Sequence, residues 1–133
     1  MSADLPELPS PPEAARILAE IALLLELHSA DRFRSRAFAS AARALEGSDR
    51  DLAALARSGE LATLPGVGPG IASVLSELVL TGRSSLHDEL VARTPVGLFD
   101  LMRIPGLGTA RIRTLHEELG IDSLDALEAA GRE

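Results

Sequence analysis

The sequence carries two copies of one short pattern, forty residues apart. Residues 64–70 read Leu-Pro-Gly-Val-Gly-Pro-Gly and residues 104–110 read Ile-Pro-Gly-Leu-Gly-Thr-Ala. Each copy runs directly into a helical pattern, at 71–80 and at 111–119. Glycine tolerates positive φ and lacks a Cβ atom, so the chain can turn tightly and bring bare backbone close to a ligand. The chain is therefore expected to make the same tight turn before a helix twice.

A helix that follows such a turn is suited to an anion. Its first N–H groups have no partner within the helix, and they lie at the positive end of the helix dipole, which favours phosphate. One copy alone is also typical of an ordinary tight connection between helices. Two copies with the same flanking apolar residues and trailing helix match the helix-hairpin-helix motif and favour a pair of phosphate sites over two structural loops.

Composition limits the class of protein. The 133 residues are enough for one domain, or for two small subdomains that share a core. Because the apolar residues are mostly Ala and Leu and no segment alternates with period two, we predict an all-α fold, a compact helical bundle. Three Phe and no Trp or Tyr argue against a single-strand binder built on aromatic stacking.

Other site types and compartments are disfavoured. No cysteine is present, which excludes disulfides and thiolate metal sites. His28, His87 and His116 have no ligand spacing, so we expect no metal there. No apolar run approaches the ~20 residues of a membrane span. The first residues lack the pattern of a signal peptide. We expect a cytoplasmic protein with no membrane partner.

The charge is unevenly distributed. The net charge of −7 opposes binding to a polyanion, yet residues 31–57 carry six arginines against four acidic residues. Residues 101–116 carry Arg103, Arg111 and Arg113 and no acidic residue. Two interpretations of the arginines in 32–43 stay open, because they can contact phosphates or pair with nearby acidic residues. Arg111 and Arg113 directly follow a hairpin, which favours a phosphate role.

Helical periodicity and capping signals predict the order of elements. Residues 1–12 contain four prolines and are expected to be a disordered leader. Asp31 is expected to cap the second helix, and Ser48 or Asp49 to start the third. Phe33 is placed on the apolar stripe of the second helix. The predicted helices are 13–28, 32–46, 49–57, 69–81, 86–93, 96–103, 109–119 and 124–130, with a short helical turn at 60–64.

With these elements in place, the chain from about residue 13 to 130 resembles the amino-terminal region of family X DNA polymerases of the bacterial and archaeal kind. The strings AARILAEIALLLELHSADRFRSRAFASAARALE, GELATLPGVGPGIASVLSELVLTG and GLFDLMRIPGLGTARIRTLHEELGIDSLDALEAA carry the resemblance. It implies a SAM-like, polymerase beta N-terminal-like fold. A lyase-type helical domain at 13–93 would hold the first hairpin, and the start of a fingers-type subdomain at 94–133 the second.

The resemblance also implies binding residues. In the family, two hairpins hold the backbone of gapped DNA, and backbone carbonyls hold a monovalent cation such as Na⁺ or K⁺. Arg34 matches a cation of the pocket for a 5′-phosphate. The implied phosphate-facing amides are those of Gly66, Gly68, Gly70, Gly106, Gly108 and Arg111. The implied carbonyl ligands of the cation belong to Ala62, Leu64, Val67, Met102, Ile104 and Leu107.

Catalysis is not expected. Relatives that remove a 5′-deoxyribose phosphate form a Schiff base with a lysine, and the matching position here is Val74. Two further pocket positions, a lysine and a tyrosine in relatives, are Gly70 and Phe38. The nucleotidyl-transfer carboxylates of the family lie in a palm domain that residues 1–133 do not include. We therefore expect a non-enzymatic chain, with no cofactor beyond the monovalent cation.

Three functions remain as hypotheses. The favoured one is binding of gapped, nicked or duplex DNA without sequence preference, in gap-filling repair, by a module that is part of, or derived from, a family X polymerase. The alternatives are a 5′-deoxyribose-phosphate lyase that uses another amine, and a protein-interaction module that reuses the fold. A monomer is the default expectation, and the sequence leaves the oligomeric state open.

The missing lysine gives a direct test. All thirteen basic residues are arginine, whose guanidinium stays protonated and offers no free amine. Only the α-amino group of Met1 could form an imine. Borohydride treatment of the chain with DNA that bears a 5′-deoxyribose phosphate is expected to trap no covalent adduct. A protein–DNA adduct on a denaturing gel would contradict this prediction.

Overall fold

A computed structural model of the protein describes residues 9–28 and 32–131, and within these ranges every regular element is helical. The predicted all-α fold is confirmed. None of these helices is long and apolar enough to cross a lipid bilayer. The elements are α1 (Pro11–Leu27), α2 (Arg32–Glu46), α3 (Leu52–Ser58), a 3₁₀ turn (Leu61–Thr63), α4 (Pro69–Thr81), α5 (Ser85–Ala92), α6 (Val96–Met102), α7 (Thr109–Leu119) and α8 (Leu124–Gly131).

Most helix ends follow the local signals in the sequence. The side chains of Ser84 and Ser123 accept hydrogen bonds from backbone amides three residues further along the chain, at 3.2 and 3.1 Å. They start α5 one residue before the predicted 86 and α8 at the predicted 124. Helices α4 and α7 end at Gly82 and Gly120, both in the left-handed conformation. These stops are also confirmed, because each position provides its own cap.

Two predicted starts were wrong. Helix α1 begins at Pro11, two residues before the predicted start, since proline is well accommodated in the first helical turn. Helix α3 begins at Leu52 rather than at 49, because the Asp51 carboxylate accepts the Ala54 N–H at 3.1 Å and is the N-cap. Residues 1–8, most of the predicted leader, and the predicted cap Asp31 lie outside the described residues.

Helix α1 is the central element of the core. It packs against α2, α4, α5 and α7, and its Leu18, Ile21 and Leu24 are fully buried. The same apolar cluster includes Leu75 of α4 and Ile112 of α7. The helix that follows each glycine turn therefore rests on one shared core.

The prediction that Phe33 lies on the buried stripe of α2 was wrong, since it is 83% exposed. At about 100° per residue, Phe33 lies roughly 140° around the helix from the buried Phe38. Ser35 occupies the side that faces α1 instead. Its hydroxyl donates a hydrogen bond to the Ala22 carbonyl at 3.0 Å, which satisfies this buried polar group.

Helix α6 passes unusually close to the segment before α8. A Cβ atom built on Gly97 would lie 2.0 Å from the Asp122 carbonyl oxygen and 2.8 Å from the Ser123 Cα. No side chain can be accommodated there without a shift of the backbone. The close approach of α6 to the start of α8 therefore requires glycine.

Replacing Gly97 by alanine is expected to destabilise the protein by about 1–3 kcal/mol, the usual range for overpacking a well-packed site. Urea unfolding followed by circular dichroism measures this. Gly47→Ala is the matched control, because no atom lies within 4 Å of its added Cβ. Equal unfolding midpoints for the Gly97 variant and the wild-type protein would contradict the described packing.

Candidate nucleic-acid interface

The two turns share one backbone conformation. The Val67 N–H donates to the Leu64 carbonyl, and the Leu107 N–H donates to the Ile104 carbonyl, each at 3.1 Å. These pairs are related by the forty-residue offset of the sequence repeat. The repeated sequence thus folds into a repeated structure, a short helical segment, a tight turn and a second helix.

The first glycine of each Gly-x-Gly is required by the turn itself. Gly66 has φ +81° and Gly106 has φ +83°, a left-handed conformation that residues with a Cβ atom rarely adopt. These two glycines therefore have a structural explanation that involves no ligand.

The second glycine of each pair has no such explanation. Gly68 (φ −86°, ψ 177°) and Gly108 (φ −75°, ψ 165°) are extended, and no atom lies within 4 Å of a Cβ built on either. Each is the N-cap of the following helix, and neither helix has a side-chain cap of the kind that Ser84 gives α5. Both helices therefore begin with exposed amides that no side chain covers, and with open space beside the N-cap glycine.

The amides at these helix starts face solvent. The first hydrogen bond of α4 joins the Ala72 N–H to the Gly68 carbonyl at 2.8 Å, and that of α7 joins Ile112 to Gly108 at 3.0 Å. Unlike those of Val67 and Leu107, the implied phosphate-facing amides donate to no other backbone group in the described part of the chain. The predicted phosphate-facing residues are all exposed, namely Gly66, Gly68, Gly70, Gly106, Gly108 and Arg111.

Arg34 lies beside the first hairpin, as the resemblance implies. A cleft of about 310 Å³ separates α2 from this hairpin. Val74, which the resemblance matches to the lysine of lyase relatives, is half-buried on α4 and packs against the core. The cleft is lined by Arg34, Ala37, Phe38, Gly66, Gly68, Gly70 and Ile71.

The arginines of α2 form an exposed cationic surface. Arg32, Arg34, Arg36 and Arg43 are all exposed. Among residues 9–28 and 32–131, none of them lies within ion-pair distance of an acidic side chain. The described acidic residues near α2 in sequence, Glu46 and Asp49, therefore do not pair with these arginines, whereas Asp31 lies outside the described residues.

Arg111 and Arg113 follow the second hairpin, and both were expected to contact phosphate, but their surroundings differ. Arg111 is exposed in the first turn of α7. Arg113 is half-buried, and its guanidinium donates to the Glu26 carbonyl at the end of α1, at 2.8 Å. Two residues along a helix rotate a side chain by about 200°, so the two point to different sides. The structure does not bring Arg113 together with the exposed amides, and sequence reasoning had no signal for its partner 87 residues away.

The carbonyls implied as cation ligands are chemically suited to that role. Those of Leu64 and Ile104 each accept one backbone hydrogen bond, which leaves a second lone pair. Carbonyl oxygen is a ligand of hard cations. The remaining implied ligands accept no hydrogen bond from the described residues, namely Ala62, Val67, Met102 and Leu107. No cluster of three His, Asp or Glu side chains in residues 9–28 and 32–131 is arranged to hold a metal ion.

Two histidines that are distant in sequence meet near the second hairpin. His28 and His116 line a cavity of about 150 Å³ between α1 and α7. The Thr94 hydroxyl donates to the Leu90 carbonyl at 2.7 Å, so its oxygen accepts from His28 Nε2 at 2.8 Å. Burial lowers the pKa of His28 below its ordinary 6.5, and electrostatic interactions with Arg93 and then His116 lower it further. His28 is thus favoured in its neutral form.

This shift predicts a pH dependence of stability. Because the folded-state pKa of His28 lies below the unfolded value of 6.5, the unfolded chain binds more protons between the two values. The free energy of unfolding is expected to fall as pH drops from about 6.5 through the folded-state pKa. Urea unfolding at pH 7.5 and pH 5.5 measures this, and His28→Asn should reduce the difference. The same pH dependence in the variant and the wild-type chain would contradict this assignment.

Comparison with known proteins agrees with this geometry. Residues 9–84 match a family model described as a helix-hairpin-helix domain. Residues 98–133 match one described as a SAM-like helix-hairpin-helix tandem. The chain is 37% identical over 115 residues to the DNA polymerase/3'-5' exonuclease PolX of Bacillus subtilis (strain 168), an alignment that covers 86% of this chain and 20% of that protein.

The chain thus spans about one fifth of the length of this relative. The resemblance to family X polymerases noted in the sequence is confirmed, and the two matched regions contain the two glycine turns. On the repeated backbone of its turns and on these matches, the chain belongs to the helix-hairpin-helix domain family and is related to the family X DNA polymerases.

Proposed function

We propose that the chain binds DNA through its phosphates, without sequence preference, by the main-chain amides of both hairpins. The observation that carries this proposal is the pair of uncapped helix starts at Gly68 and Gly108, where neither φ nor packing requires glycine. Close approach of a phosphate explains the missing side chains, because a cap would occupy the same amides. The similarity to a DNA polymerase supports DNA as the polyanion.

The recognition chemistry is electrostatic and independent of the bases. Amide N–H groups at a helix start bind phosphate oxygens and carry no sequence information. The exposed guanidinium of Arg111 is placed to add a charge-assisted contact at the second hairpin. The amide donors are those of Gly66, Gly68 and Gly70 at the first hairpin, and those of Gly106, Gly108 and Arg111 at the second.

The hairpin carbonyls extend the same surface. A Na⁺ or K⁺ ion bound there supplies a positive charge that attracts a phosphate oxygen. The main chain of each hairpin thus offers groups of both polarities, amide N–H groups that would contact phosphate and carbonyls that would hold the ion. The residues that would hold the ion are Ala62, Leu64 and Val67 in the first hairpin, and Met102, Ile104 and Leu107 in the second.

The cleft beside the first hairpin favours a DNA end over continuous duplex. Arg34 borders the same space as the exposed amides of Gly66, Gly68 and Gly70. A terminal 5′-phosphate offers more charge and more free oxygens than an internal one, which suits a guanidinium next to amides. We therefore propose gapped or nicked DNA as the substrate, in gap-filling repair, with a binding role and no lyase chemistry at Val74.

The uncapped helix starts give the sharpest test. In a variant with Gly68→Ser and Gly108→Ser, the new hydroxyls should cap α4 and α7, as Ser84 caps α5. Serine is a slightly better N-cap than glycine, by a few tenths of a kcal/mol, so stability should be unchanged or higher. The capped amides are no longer free for phosphate, so affinity for gapped DNA should fall at least tenfold. Fluorescence anisotropy at low salt measures the affinity, and thermal unfolding measures the stability.

Gly47→Ser is the matched control, since Gly47 has the same open space around its Cα and lies outside both hairpins. It should bind DNA like the wild-type chain. Wild-type affinity in the double serine variant would contradict binding through the helix starts. Absence of any wild-type binding at ~20 mM salt, where phosphate contacts are strongest, would contradict DNA binding altogether.

A further inference from the structure

We propose that Arg113 is a positioning residue that locks the second hairpin onto helix α1 and so fixes its orientation relative to the first. The inference rests on the proposed function, because it assigns the two hairpins to one DNA-binding unit. It replaces the phosphate contact expected for Arg113 from its place after the glycine turn.

The contact is made where α1 needs a partner. The last four carbonyls of a helix receive no hydrogen bond from an N–H group of the same helix. The last turn of α1 also contains no basic residue. The Arg113 guanidinium supplies both the donor and the positive charge, by its 2.8 Å hydrogen bond to Glu26. A cation at the carboxyl end of a helix also interacts favourably with the helix dipole.

Other contacts beside this hydrogen bond also attach α7 to α1, and we call the whole set of contacts between these two helices the joint. Ile112, the preceding residue on α7, is fully buried in the core. The residue after α1, His28, also hydrogen-bonds to Thr94, which lies between α5 and α6. Helix α7 is therefore held on α1 by a buried apolar side chain and a charge-assisted hydrogen bond in successive positions.

A rigid joint between α1 and α7 is expected to raise the affinity with which the two phosphate sites together bind one DNA molecule. Helix α4 of the first hairpin also packs on α1, so both phosphate sites are supported by one helix. When two sites are held in a fitting geometry, occupation of the first makes the second binding step intramolecular. Loss of the joint should weaken binding without removing any ligand from either hairpin. A ligand role for Arg113 predicts the opposite, loss of a phosphate contact with the geometry unchanged.

Because the chain contains no cysteine, the distance between α4 and α7 can be measured with spin labels on introduced cysteines. Single cysteines can be introduced at Ser73 on α4 and Glu118 on α7, both exposed, and spin-labelled without side reactions. The distribution of distances between the labels is then recorded by pulsed electron paramagnetic resonance for three chains. These are the wild-type background, Arg113→Ala, and Arg111→Ala, a matched loss of one arginine two residues away on the same helix.

The proposal expects Arg113→Ala to broaden the distance distribution and to weaken binding to gapped DNA roughly tenfold, with an unchanged dependence of affinity on salt. Arg111→Ala should keep the narrow distribution and reduce the slope of log affinity against log salt by about 0.9, the value for one lost phosphate contact. Thermal unfolding confirms that both variants are folded at the measuring temperature. A merely structural loss of stability would leave DNA affinity unchanged in a folded chain.

Two results would overturn the proposal. One is a narrow distribution in Arg113→Ala with a salt slope reduced by about 0.9, which would make Arg113 a phosphate ligand. The other is a distribution and an affinity that both match the wild-type chain. If the wild-type chain binds no DNA, the proposed function fails. The label distances then still decide whether Arg113 holds the joint.

Discussion

Burial of helix α1 is the interaction on which the rest of the structure depends. A helix that is apolar around most of its circumference must be surrounded, and α1 is covered by α2, α4, α5 and α7. Two of these helices, α4 and α7, are the ones that start at the glycine turns. The apolar residues of α1 therefore do more than stabilise the core, since they also support the two helices that begin at the exposed glycine turns.

Each hairpin combines two glycines with different tasks. Gly66 and Gly106 allow the left-handed turn, while Gly68 and Gly108 leave the helix start open. Glycine at an N-cap is only a few tenths of a kcal/mol worse than serine, so the exposed amides cost the fold little. A binding surface can therefore be built from main chain at almost no loss of stability, provided that the helices behind it are held by a core.

Local signals made much of the fold predictable, and long-range packing limited the rest. The repeated turns and the ends of α4 and α7 follow from residues within a few positions of each other. The exposure of Phe33 could not be predicted, because it depends on which side of α2 meets α1. The direction of Arg113 and the meeting of His28 with His116 depend on the docking of α7 against α1. For the candidate site, the positions of the amides were predictable, but their contacts with DNA remain a prediction.

A surface made of peptide groups has one further property. Amide N–H groups do not titrate near neutral pH, and truncating a side chain leaves them in place. Systematic replacement of residues by alanine would therefore leave most of the hairpin donors intact and would report mainly on Arg34 and Arg111. The surface described here can thus tolerate wide variation in its side chains while its hydrogen-bonding groups stay the same.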